Sequence, residues 1–211
     1  MPAAEDATIL QIQGLCFGHA PQQPLFAQVG ANLHAGLALI VGGEGSGKTT
    51  LLRLLAGELA PQAGRLVLGG ADSALQPQAY RSQVFWRSPQ ADWPEQLTPQ
   101  DWAAELAAGA RWQRAAWQAH VQGFGLDAHL HKPMYQLSAG SKRKVLLAAA
   151  LASGAPLTLI DEPEAALDKA SIAYLHQALE RHGAEGGRVL LLAHYERLGR
   201  LHWQQVLELA E

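Results

Sequence analysis

Cysteine is almost absent. Cys16 stands alone among 211 residues, which excludes an internal disulfide and any metal site built from several thiolates. A reducing cytoplasm suits such a chain. There is no basic tail, and 16 Lys and Arg are set against 19 Asp and Glu, so nonspecific nucleic-acid binding is not expected. No basic segment followed by an apolar run marks a signal peptide. The most apolar stretch, residues 145–160, is Ala-rich, broken by Ser153-Gly154 and Pro156, and too short for a bilayer-spanning helix. The chain reads as soluble, with membrane attachment left to a partner. Internal repeats and low-complexity linkers are also missing. This length suits one large α/β domain, or one with a small insertion, and does not accommodate a second full domain.

What is present begins with Gly42-Gly43-Glu44-Gly45-Ser46-Gly47-Lys48-Thr49, which fits the phosphate-loop pattern G-x-x-x-x-G-K-[ST]. It lies between a strand-like run, residues 38–41, and leucines at helical spacing, residues 48–56, that Gly57 ends. Each residue type has a task. The glycines let backbone N–H groups converge on phosphates, and the helix offers its positive end. Lys48 reaches the terminal phosphates, the Thr49 hydroxyl can ligate Mg²⁺, and Thr50 completes the nucleotide-binding set. A bound nucleoside triphosphate is the first expectation.

Two further apolar runs suit strands buried on both faces of a parallel sheet. Residues 157–160 end in Asp161-Glu162, and residues 188–193 end in His194. One carboxylate of the pair can hold Mg²⁺ through water while its neighbour, pointing the other way, polarises an attacking water. His194 is placed to touch a terminal phosphate. Predicted helices cover residues 141–152, ended by Ser153-Gly154, and 168–181, capped by Asp168 and ended by Gly183. The alternation implies a wound α/β core with its chemistry at the carboxyl ends of the strands. Between Gln90 and Leu137 the sequence turns polar, Ala-rich and helical, carrying Trp93, Trp102, Trp112 and Trp117, and reads as a small insertion. Thr98-Pro99-Gln100-Asp101 looks like a helix start, Gly123 and Gly125 punctuate the next helix, and the tryptophans read as core. Lys142-Arg143-Lys144 reads as a solvated basic surface, although cations near the phosphates would also help.

The order of the phosphate loop, Gln90, Leu137-Ser138-Ala139-Gly140-Ser141, Leu159-Ile160-Asp161-Glu162-Pro163, Ala166-Leu167-Asp168 and His194 resembles an ATP-binding cassette of the ABC superfamily over nearly the whole chain. The resemblance implies an α/β fold: a P-loop NTPase core with a mainly parallel sheet, residues 1–90 and 138–211, an N-terminal antiparallel β portion, and a helical insertion, residues 91–137. It implies ATP and Mg²⁺ as cofactors, Glu162 as catalytic base, His194 as switch histidine, and Gln90 linking Mg²⁺ and water to the insertion. Thr49, Gln90 and Asp161 would serve the metal. Ser138 and Gly140 would contact the γ-phosphate held by the phosphate loop of a second cassette, in a homodimer.

The chain departs from the family pattern at several points. Ala139 replaces a Gly, Ser141 replaces Gln, and Glu44 stands where Asn or Ser is usual. His19 takes the place of the adenine-stacking tyrosine, with Phe17 as the other candidate. The reading is the ATPase subunit of a membrane transporter, cytoplasmic and held on the inner face of the membrane by a transmembrane permease subunit. The short length and Leu-Ser-Ala-Gly start resemble compact haem-exporter-type cassettes, and the regulatory C-terminal domain of some relatives is expected to be absent. A soluble ABC-type ATPase in DNA repair or translation is the alternative, but the coiled-coil insertion or paired cassettes usual there are not visible. A P-loop kinase or small GTPase would explain neither the signature nor His194.

Overall fold

The computed structural model describes residues 8–18, 24–88, 91–109, 111–185, 187–199 and 201–209. β1 (Leu10–Phe17) pairs antiparallel with β2 (Phe26–Leu33) on one side and with β4 (Ala63–Leu68) on the other; short β5 (Ala71–Asp72) completes an antiparallel sheet in the order β2-β1-β4-β5. β3 (Gly36–Val41) leaves this sheet for a second one. There β6 (Val84–Phe85), β7 (Leu157–Asp161), β8 (Val189–His194), β3 and β9 (Gln205–Glu208) run parallel in that order.

The apolar runs predicted as doubly buried strands are β3, β7 and β8, and their alternate side chains feed two different cores. Leu37, Leu39, Ile160, Leu190 and Leu192 face a helical side, where α5 (Ala139–Ala152) and α6 (Lys169–Glu185) contribute Leu147, Leu151, Leu175 and Leu179. Ala38, Ile40, Leu157, Leu159 and Leu191 face the other side, against α1 (Lys48–Leu55) and the antiparallel sheet. The five-stranded sheet is thus a wall between two apolar layers.

α1 ends where predicted, with Ala56 as cap and Gly57 at φ 73. Asp168 caps α6 by accepting from the Ser171 N–H at 2.9 Å. Gly183 does not end α6. The helix continues to Glu185, and an added Cβ at Gly183 would lie 3.4 Å from Leu37 of β3. Packing on the sheet outweighs the roughly 1 kcal/mol helix penalty of glycine.

Residues 91–137 hold α3 (Pro99–Leu106), α4 (Arg114–Gly123) and two short 3₁₀ turns, while α2 (Pro77–Arg81) belongs to the antiparallel side. Thr98 caps α3 by accepting from the Asp101 N–H at 3.1 Å, with Pro99 in the first turn. Trp102 and Trp117 are buried, and Trp93 and Trp112 are half-buried against them, each at 5.7 Å between ring centres. The Arg87 guanidinium lies 4.9 Å from the Trp93 ring centre, tying the strand before the insertion to its core. At the seam with α6, Tyr174 fills the space beside Gly123: a Cβ there would fall 1.9 Å from the Tyr174 ring.

Candidate active site

Parallel registry assembles the site. Val41 lies opposite His194 and Asp161 opposite Ala193, so the phosphate loop, the carboxylate pair and the histidine leave adjacent strands at one level. Gly42 is required by contact, since a Cβ there would fall 2.4 Å from Ser46 Oγ. Gly47 is required by conformation and space: its φ is 93, and a Cβ would meet the Phe26 ring at 2.9 Å.

Lys48 opens α1. It is buried, 8% exposed, and its Nζ donates to the carbonyls of Gly42 and Gly43 at 2.8 Å each. The Thr49 hydroxyl donates to Asp161 Oδ2 at 2.6 Å. Asp161 Oδ1 and Ser46 Oγ are buried without hydrogen-bond partners among the described residues. Glu44 and Gly45 are exposed, so the Glu44 carboxylate reaches water, as a position beside phosphates requires. A cleft of about 580 Å³ is lined by Glu44, Gly47, Lys48, Thr49, Thr50 and Glu162, among others.

Glu162 follows β7 at φ 44, a left-handed conformation rare for a residue with a side chain, held by its N–H donating to Ala193 O at 2.9 Å. His194 is buried at the end of β8, its Nε2 3.7 Å from Glu162 Oε2. His194 Nδ1 lies 3.0 Å from the Glu196 carbonyl, and the exposed Tyr195 ring leans on the imidazole with ring centres 4.2 Å apart.

Ser138 caps α5, accepting from the Ser141 N–H at 3.1 Å, and its own hydroxyl is exposed. A Cβ at Gly140 would approach the Ala166 carbonyl to 2.7 Å, so this helix start lies directly on the loop after the carboxylates. A second cleft, about 650 Å³, joins Leu137 and Ala139 of that start to Thr49, Asp161, Glu162 and Trp93. His19 and Gln90 lie outside the described residues. Phe17, the other candidate beside His19, ends β1 half-buried against the antiparallel core.

The basic run after Ser141 is not the solvated surface expected of it. Lys142 pairs with Glu95 of the insertion at 2.8 Å and Lys144 with Asp168 at 2.7 Å. Hydrogen bonds from Lys144 and Ser171 hold the Asp168 carboxyl well below its ordinary range. Arg143 is buried and donates through Nη2 to the backbone carbonyls of both Asp161 and Glu162. Burial lowers its guanidinium pKa from the ordinary value, and the two carboxylates oppose that shift. Charge suggested the surface, but helix phase held the correction: Arg143 shares a face with Leu146, Leu147 and Ala150.

Asp161 and Thr49 present hard oxygen donors side by side, one of them a buried oxygen without a partner among the described residues, which fits a Mg²⁺ ion that also takes oxygens from phosphate and water. No group of three or more His, Cys, Asp or Glu placed to hold a metal ion occurs among the described residues.

The sequence matches the family model described as ABC transporter over residues 28–165, well over half of the chain. The chain belongs to the ABC transporter family. It is 39% identical over 175 residues, 81% of its length and 82% of the relative's, to a protein of Pseudomonas putida named "Cytochrome c biogenesis ATP-binding export protein CcmA". A protein of the same name from Paramagnetospirillum magneticum is 40% identical over 177 residues, 81% of each chain. Among solved structures, an "ATP binding subunit of ABC transporter" superimposes with a TM-score of 0.78 at 26% identity, covering 89% of this chain and 80% of that one. A Pyrococcus furiosus protein titled a putative ABC transporter ATP-binding protein shares the fold, with TM-score 0.77, 22% identity and coverage of 95% and 96%. This ABC cassette is the ATP-binding, ATP-hydrolysing subunit of a membrane transporter, on a P-loop NTPase fold.

Proposed function

We propose that two copies of this cassette close on two ATP molecules and that hydrolysis reopens them, driving a transmembrane permease subunit on the inner face of the cell membrane. Among the described residues no helix is long and apolar enough to cross a membrane, so a spanning subunit is assigned to a partner. The relatives' name supports an export step serving cytochrome c biogenesis. Residues 1–90 and 138–211 form the nucleotide-binding core of this reading and 91–137 its insertion.

The observation that carries the proposal is the alignment at one end of the parallel sheet: Thr49 bonded to Asp161 at 2.6 Å, with Glu162 facing His194 at 3.7 Å. Lys48 and the loop N–H groups hold the phosphates, and His19 or Phe17 stacks on adenine. Thr49, Asp161 and Gln90 would hold Mg²⁺, which neutralises charge on the phosphate oxygens. Glu162 takes the proton of the attacking water, and His194 orients the terminal phosphate against it. Ser138 and Gly140 lie at the start of α5, where a helix N-terminus favours an anion, and serve the nucleotide of the opposite copy.

The test is ATP turnover by Glu162→Gln, with c-type cytochrome content in cells that carry it in place of the parent chain. The amide keeps the shape but not the basicity, so turnover falls by about a hundredfold or more while ATP affinity is retained. Parent-rate hydrolysis removes Glu162 from the role. Normal cytochrome content with stalled hydrolysis removes the biogenesis assignment.

A further inference from the structure

The amino ends of the same strands border another concavity. Pro156 precedes β7 and Arg188 precedes β8, so the cleft between α4, the end of α5 and α6 lies a strand's length, about 20 Å, from the phosphate loop. Its volume is about 550 Å³. Among the described residues lining it, Arg111, Arg181, Arg188, His120 and His182 carry the charged or ring nitrogens, and none is a carboxylate.

His182 sets the polarity required of an occupant. The side chain is 8% exposed, and its Nδ1 lies 3.3 Å from Arg188 Nη2. A guanidinium nitrogen only donates, so Nδ1 accepts and the neutral ring carries its proton on Nε2. That N–H is buried and has no hydrogen-bond partner among the described residues. Burial, with Arg188 and His120 nearby, pushes the imidazole down to about 3, which keeps the ring neutral at ordinary pH. The lining therefore combines an unmatched buried donor with guanidinium groups.

We propose that this cleft binds a small phosphate ester, its phosphoryl oxygens taken by Arg181, Arg111 and the His182 Nε2–H and its apolar body lying against Ala116, Ala119 and Ala178. Planar guanidinium forks match phosphate oxygens in pairs. Arg111 gives one N–H to the Ser82 carbonyl at 3.1 Å, the one side-chain hydrogen bond it makes among the described residues. The cavity exceeds what a bare phosphate fills, and the alanine wall accounts for the remaining space. Gln113, Ala116 and Ala119 come from the insertion, whereas Ala178 and Arg181 come from the core. An occupant therefore fastens the two together and changes the rate at which the cassette turns over ATP.

The experiment titrates phenyl phosphate into the Lys48→Ala chain, with Lys48→Met as a second background, so that the phosphate loop cannot supply the binding. Heat of binding and the His182 ring resonances are followed, and a melting curve checks the fold of each variant. One phenyl phosphate binds per chain and shifts the His182 signals. Adding Arg181→Glu, an exposed position, weakens binding by about tenfold or more, as loss of a charge-assisted hydrogen bond does. Benzoate binds more weakly than phenyl phosphate. Absence of binding in both loop variants, or affinity untouched by both Arg181→Glu and His182→Phe, overturns the site. Equal affinity for benzoate overturns the choice of phosphate.

Discussion

Arg143 is the residue through which α5 reaches the Asp161-Glu162 pair. Its guanidinium holds the carbonyls of Asp161 and Glu162, and Glu162 occupies φ 44, a conformation that costs about 1–3 kcal/mol unless its surroundings impose it. Arg143 is thus a positioning residue for Glu162. Arg143→Gln is expected to lower kcat by about tenfold to a hundredfold, as small misplacements of catalytic groups do, with KM nearly unchanged. Steady-state kinetics read the split, and an equal loss in 1/KM with no loss in kcat contradicts the role. The glycine loop, Asp161-Glu162 and His194 were visible in the sequence because phosphate chemistry demands those residue types at strand ends. The inward turn of Arg143 was not, because a cation between two lysines resembles surface until helix phase is weighed against charge. Lys48 is likewise a buried cation, bonded to the carbonyls of its own loop.

At the scale of elements, the α4–α6 seam carries both a steric and an electrostatic constraint. A methyl group at Gly123 would overlap the Tyr174 ring, whose hydroxyl contacts His120 Nδ1 at 2.9 Å. Gly123→Ala is therefore expected to cost about 1–3 kcal/mol, the usual range for overpacking, and Tyr174→Ala in the same chain should recover part of it. Urea unfolding of the two single variants and the double variant measures the coupling; additive losses would mean that the two do not meet. His120 and His182 add pH dependence. Burial first, then Arg188, lowers their pKa values from 6.5 to about 4 and about 3, with Arg181 adding to the shift of His120 and His120 to that of His182. The unfolded chain takes up protons below about 6.5 that the folded chain refuses, so stability falls as pH drops from there toward 4. The urea midpoint should decline over that window, and His120→Gln should flatten the decline. A midpoint constant from pH 7 to pH 4.5 would contradict it. Helix starts such as Thr98 and Asp168 were readable from capping chemistry, whereas the run of α6 past Gly183 was not, because packing on Leu37 lies outside local sequence.

For the whole molecule, closure on nucleotide is the expectation to measure. Glu162→Gln with MgATP should double its apparent mass by light scattering, because each uncleaved nucleotide stabilises only the paired state. The same chain with ADP should remain single. A monomer at saturating MgATP would mean that a start ending in Ser141 does not close on a copy of itself. The parallel sheet and its loaded end were readable from three apolar runs, each ending in reactive residues. Strand order was not, since periodicity names strands without naming neighbours, and β9, with its mixed sequence Gln205 to Glu208, gave no signal at all. The antiparallel sheet was reached only through family resemblance.

The placement of β3 between β8 and β9 also matters for how the protein is made. A ribosome completes the phosphate loop early, yet both strands that flank its parent strand come from residues 189–194 and 205–208. At roughly 5–20 residues per second, β3 and the buried leucines beside it wait about ten seconds or more for their neighbours. During that interval the antiparallel hairpin of β1 and β2, whose partners are close in sequence, can form first, while the strand carrying the phosphate loop offers two unpaired edges. Nucleotide binding should therefore switch on only once residues 189–208 have been made, and nascent chains arrested before residue 189 should depend on chaperones to remain in solution.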